Sequence, residues 1–483
     1  MYVRERLFLG GEWVAPASGQ TLPVFSPASE AEIGRFPRAT VEDADRAVAA
    51  ARQAFDAGPW PRMSPAERSE LLLAMAAHLR ARRRELAELS VDEAGIPVCF
   101  AHARENGPIA IFEYYANLAR EFPFREARRG ALAEALVVRE PIGVVAAIVP
   151  FNGPLMSATA KIAPSLAAGC PIVFKSAPET PLDGFAIADA AEAVGLPPGV
   201  LNVLPADRDT GEHLVKHPGV DRVVFTGSTG AGRRIAQLCA TSFRRTTLEL
   251  GGKAAAILLP DAPLEESLAK ILPLSFFNSG QACIALSRLV VPREREKEVV
   301  EAVAAATGAL VVGDPRDAAT RQGPLISAKQ RERVLAHVEA GVAGGAELVC
   351  GGRRPPGLAR GHYVEPTVFR GVESSMRIAQ EEIFGPVLCV LAYRDEAEAV
   401  AIANDTPYGL SGAVFTADVE RGIAIGSRIR VGTFGVNGYA LDFSLPFGGC
   451  KQSGIGREFG PEGLAEYTEC KAIALPAGVA ARA

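Results

Sequence analysis

The chain has 483 residues, 48% hydrophobic and 22% charged, the proportions of a folded protein of about two or three domains. A net charge of −5 argues against nucleic acid as the main partner, and no apolar run approaches the roughly 18–20 residues of a membrane span. Eight cysteines stand singly with no CxxC pair, and the charged start Met1–Arg6 runs straight into foldable sequence, so a cytoplasmic protein without disulfides is expected.

Residues 8–38 read as short strands and turns. Thr40 to about Phe55 reads as an amphipathic helix, with Thr40 as N-cap and Asp43 in the first turn. Ser64-Pro65-Ala66-Glu67 is a stronger start: a cap, a proline at the first helical position, and a glutamate to close the capping box. A long helix is expected from there to about Leu89, with the run Arg80–Arg84 as a solvated face. A further helix is expected over 100–120. Residues 121–140 break the pattern: Gly130 separates a basic stretch from the apolar Leu136-Val137-Val138, which predicts a β-hairpin projecting from the body.

From residue 142 strand and helix alternate. Apolar runs fall at Val144–Val149, Pro171–Phe174, Val200–Val203, Val220–Phe225 and Ala254–Leu259. Continuous apolar strands of this kind indicate a parallel sheet covered on both faces, a doubly wound architecture. Phe225-Thr226-Gly227-Ser228-Thr229-Gly230-Ala231-Gly232 is not a GxGxxG. It follows a strand and opens a helix, where backbone N–H groups can meet a pyrophosphate; as a bare glycine loop it reads equally well as a helix-start turn. His213 and His217 stand at i, i+4, but no third ligand completes a set, so no metal site is expected. After Lys253 a second α/β unit begins, with helix 264–279, strand 286–292, helix 294–307 and further alternation to about 437.

The chemistry concentrates at three places. Phe276-Phe277-Asn278-Ser279-Gly280-Gln281-Ala282-Cys283-Ile284 carries a cysteine in an apolar segment behind a Gly-Gln turn. Alone it would read as a small buried hydrophobe. Glu249, in Leu248-Glu249-Leu250-Gly251-Gly252-Lys253, adds a carboxylate beside glycines, and Asn152 adds an amide at the end of an apolar strand. Thiol, carboxylate base and amide donor make a covalent-catalysis set. For Glu249 the bland alternative is a carboxylate accepting bonds from the Gly251-Gly252 backbone.

These motifs, their order and their spacing resemble the aldehyde dehydrogenase superfamily from near the N-terminus to about residue 475. Gly313-Asp314-Pro315, Gly323-Pro324-Leu325-Ile326-Ser327, Glu381-Glu382-Ile383-Phe384-Gly385-Pro386 and the stretch from Pro446 to Glu458 match it too. The resemblance implies two doubly wound parallel-sheet domains and a small β oligomerisation arm. The cofactor domain would span 1–120 and 141–251, the catalytic domain 252–451, and the arm 121–140 with 452–483. It implies an NAD-dependent enzyme, NADP being possible, that takes an aldehyde to a carboxylic acid as a homodimer or homotetramer. It casts Cys283 as nucleophile, Glu249 as general base and Asn152 as oxyanion donor, with Lys161 and Glu458 relaying protons. Lys175 would bind the adenosine ribose, Ser228 the pyrophosphate and Glu382 the nicotinamide ribose, with Phe384 packing nearby; Ile148, Gly227 and Leu250 would also line the cofactor. The bland readings are Lys175 and Lys161 as ordinary ends of strand and helix, Glu382 as a loop carboxylate, and Glu458 as a partner of Arg457.

Two departures stand out. The acid often found three residues after the lysine is Pro178 here, with Glu179 one step on, and the glycine expected after Pro205 is replaced around Asp207-Arg208. Loss of the acid weakens repulsion of a 2′-phosphate, which keeps NADP in play. For the substrate, a helix starting after Asn152 should point Gly153, Met156, Ser157 and Ala160 at the cysteine. Three of these are small and none is cationic, while Phe277, Ile284 and Phe443 can wall the space. A roomy apolar tunnel for bulky aromatic or terpenoid-like aldehydes is expected, unless the small residues merely let helices pack closely. A CoA-acylating or semialdehyde enzyme and a non-catalytic relative are the alternatives.

Overall fold

Val145–Ile148, Ile172–Lys175 and Leu201–Val203 are buried on both faces, which is why their sequences run apolar without alternation. The computed structural model, which describes residues 1–131, 133–476 and 479–481, sets them in an eight-stranded sheet. Its five central strands are parallel, in the order Arg245–Glu249, Arg222–Thr226, Val145–Ile148, Ile172–Lys175, Leu201–Val203. The chain lays three strands outward in one direction, then returns to lay two on the other side. That reversal falls between Val145–Ile148 and Arg222–Thr226, and a crevice opens beyond the carboxyl ends of strands at such a point. The loops meeting there are Val149–Asn152 and Gly227–Ser228.

Ala255–Leu258 opens a second, seven-stranded sheet in the order Glu347–Cys350, Thr367–Arg370, Val387–Tyr393, Arg288–Pro292, Ala255–Leu258, Ser411–Phe415, Thr433–Val436. Only its Glu347–Cys350 edge is antiparallel. The strand Arg245–Glu249 shows no apolar run in the sequence because only its last three residues are buried. The run Ala254–Leu259 belongs to the second sheet. Among the described residues no helix is long and apolar enough to cross a membrane.

The Ser64 box forms: Ser64 Oγ accepts from Glu67 N–H at 3.2 Å, and Glu67 Oε2 accepts from Ser64 N–H at 2.7 Å. The helix it starts ends at Ala81 rather than Leu89. Arg82 leaves helical geometry and ties to Asp189, and a second helix runs Arg83–Ala94. The helix expected over 100–120 is likewise two, Val98–Arg104 and Asn106–Glu121.

The hairpin is Arg125–Arg129 with Glu134–Pro141, and Thr468–Ala474 pairs along the second strand. Residue 132 of that hairpin, and 477–478 and 482–483 of the expected arm, lie outside the described residues. The arm does not begin at 452. Gly454–Ile455 is an edge strand of the first sheet, paired with Leu248 and Glu249, and the helix Gly460–Ala465 packs on the helix Pro154–Ala168. Gly454 permits this close pairing: its φ is +145°, and a Cβ would lie 1.8 Å from the Leu248 carbonyl oxygen.

Candidate active site

The helix Leu264–Ser275 stops four residues short of its expected end, because the chain turns sharply before the cysteine. Asn278 (φ 51°), Ser279 (φ 56°) and Gly280 (φ 72°) are consecutive left-handed residues. Two of them carry side chains, a strain of about 1–3 kcal/mol each that the surroundings must over-determine. They do so with hydrogen bonds. Ser279 Oγ donates to the Gly323 carbonyl at 2.8 Å, Gln281 Nε2 to the Asn278 carbonyl at 3.2 Å, and Ile326 N–H to Gln281 Oε1 at 3.0 Å. The Gly323–Ser327 loop therefore acts as a clamp on the turn that presents Cys283.

Asn152 faces the same turn. Its Nδ2 donates to the Gln281 carbonyl at 2.9 Å, and its own carbonyl accepts from Asn278 Nδ2 at 3.0 Å. One cleft of about 120 Å³ is lined by Asn152, Glu249 and Cys283 together with Gly227, Ser228, Leu250, Glu382 and Phe384. The structure thus gathers residues from both sheets, far apart in sequence, into one site.

Burial pushes the Cys283 thiol up to about 12, and the neighbouring Glu382 and Glu249 carboxyls push the same way; its own N–H and that of Ile284 pull it back. Glu249 is buried, and neither carboxyl oxygen has a hydrogen-bond partner among the described residues. The Gly251-Gly252 backbone is not its partner: Gly252 N–H donates instead to Glu382 Oε1 at 3.0 Å. Burial raises the Glu249 carboxyl well above the carboxylate range, and the charge of Glu458 adds to this, while Lys161 and Arg457 oppose it. An unpartnered carboxyl held above its ordinary range is suited to take up and release protons.

Lys161 and Glu458 form a buried pair. Lys161 Nζ lies 2.7 Å from Glu458 Oε1 and 2.6 Å from Thr226 Oγ1. Both side chains are nearly inaccessible, so neither is an ordinary helix end, and Glu458 pairs with Lys161 rather than Arg457.

The rest of the cleft suits a dinucleotide. Ser228 caps the helix Thr229–Ala240, accepting from Ala231 N–H at 3.3 Å, and a Cβ at Gly230 would meet only open space. That helix start offers free backbone donors to a pyrophosphate. Glu382 folds over Gly251, where a Cβ would lie 2.5 Å from Oε2. Phe384 is left-handed (φ 59°) and meets Phe151 edge-on at 6.0 Å; Gln330 Nε2 holds its carbonyl at 2.8 Å and Arg333 holds that of Glu382 at 2.7 Å. Further out, Gly211 admits the Lys175 side chain against Ile148, and burial lowers that ammonium to about 8.

On the substrate side Met156, Ile284 and Phe443 lie half-buried on the same apolar cluster as Cys283, and Phe443 stacks edge-on to Phe459 at 5.1 Å. Ala160 is buried and Ser157 half-buried. Phe277, 42% exposed, does not wall the same space as expected: it lines a separate, mainly apolar cleft of about 590 Å³ with Phe100, Leu272, Pro273 and Leu310, to which Cys283 does not contribute. A second expectation changes. The space beside Gly153 holds the guanidinium of Arg104, whose Nη2 would lie 2.9 Å from a Cβ there. So Gly153 makes room for a cation, and the wall that lacked one on its own helix receives Arg104 from another.

Sequence reasoning also missed Gly107, where a Cβ would lie 2.2 Å from Met156 Cε, the Thr226 hydroxyl on Lys161, and Tyr439. Burial raises the Tyr439 phenol to about 12, with Cys283 and Glu249 adding, and its hydroxyl meets Thr433 Oγ1 at 2.9 Å. Thr226 alone carried a signal, inside the glycine loop. The other two lie on stretches with no motif.

Away from the cleft, Asp45 supplies the third group that the histidine pair lacked, 2.6 Å from His213 Nε2 and 3.4 Å from His217 Nε2. The Gly219 N–H donates to His217 Nδ1 at 3.0 Å, which puts the proton of the neutral ring on Nε2, aimed at Asp45. Asp45 is hydrogen-bonded to His213, and the three groups lie close enough to hold an ion, for which His217 would have to release its Nε2 proton.

Fold and cleft together define a two-domain α/β oxidoreductase of the dinucleotide-binding kind. Residues 13–473 match the family model described as the aldehyde dehydrogenase family. The chain is 46% identical over 474 residues to geranial dehydrogenase of Castellaniella defragrans, covering 98% of each. It is 42% identical to 3-succinoylsemialdehyde-pyridine dehydrogenase of a Pseudomonas species, covering 96% of this chain and 97% of that one. A crystal structure of Mycobacterium tuberculosis aldehyde dehydrogenase complexed with NAD+ superposes with a TM-score of 0.98 at 45% identity, covering 99% of this chain and all of that one. The chain belongs to the aldehyde dehydrogenase family.

Proposed function

We propose that this enzyme oxidises bulky apolar or aromatic aldehydes to carboxylic acids with NAD+ through a covalent adduct on Cys283. The observation that carries the chemistry is the single cleft shared by Cys283, Glu249 and Asn152 with Ser228 and Glu382. Glu249 takes the thiol proton, and the Cys283 sulfur forms a bond to the aldehyde carbon. The carbonyl electrons move to oxygen, where the Asn152 amide and the Cys283 N–H stabilise the charge, an effect of roughly 3–4 kcal/mol per donor in comparable sites. NAD+, when bound, supplies the two-electron oxidant that takes hydride from this carbon. A thioester remains on Cys283. The Lys161–Glu458 pair relays that first proton away; the freed Glu249 carboxylate then draws a proton from water, the hydroxide adds to the acyl carbon, and the C–S bond breaks to release acid and a thiolate that takes the proton back from Glu249. Lys161 and Glu458 hold and pass protons behind Glu249. Ser228 and the helix start hold the pyrophosphate, Glu382 the nicotinamide ribose, and Lys175 the adenosine ribose. NAD+ is favoured by the NAD+ complex of the mycobacterial relative. A partnerless hydrolytic base argues against CoA acylation, which needs the thioester to survive.

The substrate reading rests on the apolar wall of Met156, Ile284 and Phe443 beside Cys283. The 46% identity to a dehydrogenase of the terpenoid aldehyde geranial agrees with it. The test is kcat/KM for geranial, octanal, acetaldehyde and succinic semialdehyde side by side, with and without CoA. Geranial and octanal should lead. A preference for either of the last two overturns the substrate reading. Ala160→Trp should depress geranial turnover far more than acetaldehyde turnover; equal effects would remove residue 160 from the pocket.

A further inference from the structure

Arg104 ends the helix Val98–Arg104, and its side chain reaches the backbone at Asn152 and Gly153. Nη2 donates to the Asn152 carbonyl at 2.6 Å, and the guanidinium carbon sits 5.9 Å from the centre of the Phe277 ring. Gly153 supplies the space. Burial lowers the guanidinium from its ordinary value, and the buried carboxyls of Glu105 and Asp183 oppose that shift. Nη1 is buried and has no hydrogen-bond partner among the described residues.

This is a poor arrangement for stability alone. A buried charge with an unpaired N–H is commonly replaced by an apolar side chain at no loss, so its presence asks for another reason. That reason is the atom it holds. The Asn152 carbonyl already accepts from Asn278, so with Arg104 it has two donors, and the peptide carrying the Asn152 side chain is pinned from two elements. The Asn152 amide spends one N–H on the Gln281 carbonyl at 2.9 Å and keeps its second for the reacting oxygen. An oxyanion donor works only when placed to within a fraction of an ångström, and a misplacement of about 1 Å can cost roughly 100-fold. A fixed positive charge behind that peptide also favours negative charge on the substrate oxygen.

We infer that Arg104 is a positioning residue for the reaction: it fixes Asn152 as the oxyanion donor. This rests on the reading of Asn152 given above, and the experiment separates the two. Arg104→Met, Asn152→Ala and the double variant are compared in single turnovers with propanal, a short aldehyde. NAD+ affinity is followed by calorimetry. Asn152→Ala should slow NADH formation roughly 100- to 1000-fold. Arg104→Met should slow it roughly 10- to 100-fold, with KM for propanal and NAD+ affinity changed by less than about threefold. The double variant should match Asn152→Ala within about threefold, because the arginine acts through the asparagine. Guanidinium ion added to Arg104→Ala should restore part of the rate, which a purely structural role would not allow. If Arg104→Met does not fold, Arg104→Lys and Arg104→Gln take its place, with Lys retaining more activity than Gln. Losses that multiply in the double variant, or a change confined to KM, overturn the Arg104 inference and leave Asn152 intact. A fast Asn152→Ala enzyme overturns the oxyanion reading itself.

Discussion

Glu249→Gln should make the protein more stable while nearly abolishing turnover. Glu249 is buried, its oxygens have no partners, and its carboxyl sits well above the usual range because burial disfavours the charge. The folded chain therefore keeps a proton that the unfolded chain releases above about 4.5, the ordinary value for this group. Unfolding free energy must then fall as pH rises from there through the folded pKa, since the unfolded state binds fewer protons. The amide of glutamine removes that charge-dependent part. It finds no partner either, so only the cost of the charge is recovered, about 1–3 kcal/mol for an unsatisfied buried polar group. At roughly 1–2 °C per kcal/mol for a chain this long, Tm should rise by about 1–6 °C at pH 8.5 and hardly at all near pH 4.5. The assay is thermal denaturation of both proteins across that range. Loss of the base should lower kcat by about 100- to 10,000-fold and change the pre-steady-state burst. A variant no more stable at pH 8.5 than wild type, or a gain independent of pH, would refute the reasoning. So would a normal rate and burst.

Cys283→Ala should remove turnover and retain NAD+ affinity; dehydrogenase activity in that variant would sink the covalent mechanism. The wild-type kcat/KM should climb from pH 7 toward the alkaline side, because the Glu249 carboxyl is raised and must be ionised to take the proton of the likewise raised Cys283 thiol; a flat profile contradicts this. Glu458→Ala should destabilise by about 3–5 kcal/mol, since it strands the buried Lys161 ammonium, and Lys161→Met in the same chain should recover much of it; equal stability of the single and double variants counts against a buried ion pair. Light scattering at micromolar concentration should give a dimer or tetramer, because the sheet built from the 125–141 hairpin and Thr468–Ala474 leaves strand edges that a partner subunit can cover; a monomeric mass rejects that.

The sequence by itself determined the doubly wound architecture and singled out the motif residues Cys283, Glu249 and Asn152. These are local signals: apolar runs set by burial on two faces, caps read within four residues, and glycines where backbones must approach. It misplaced the features whose cause lies elsewhere in the chain. The helix before Cys283 ends early because Asn152 and the Gly323–Ser327 loop reward a left-handed turn. Gly454–Ile455 joins the first sheet because Arg245–Glu249 offers it an edge. Only the tertiary structure decided that Lys161 would meet Glu458 across 297 residues, that Asp45 would complete a trio with His213 and His217, and that Arg104 would fill the space at Gly153. Such partners share no period and no spacing. Their energies come from burial and from charge at close range, and both exist only once the two sheets have brought the segments together.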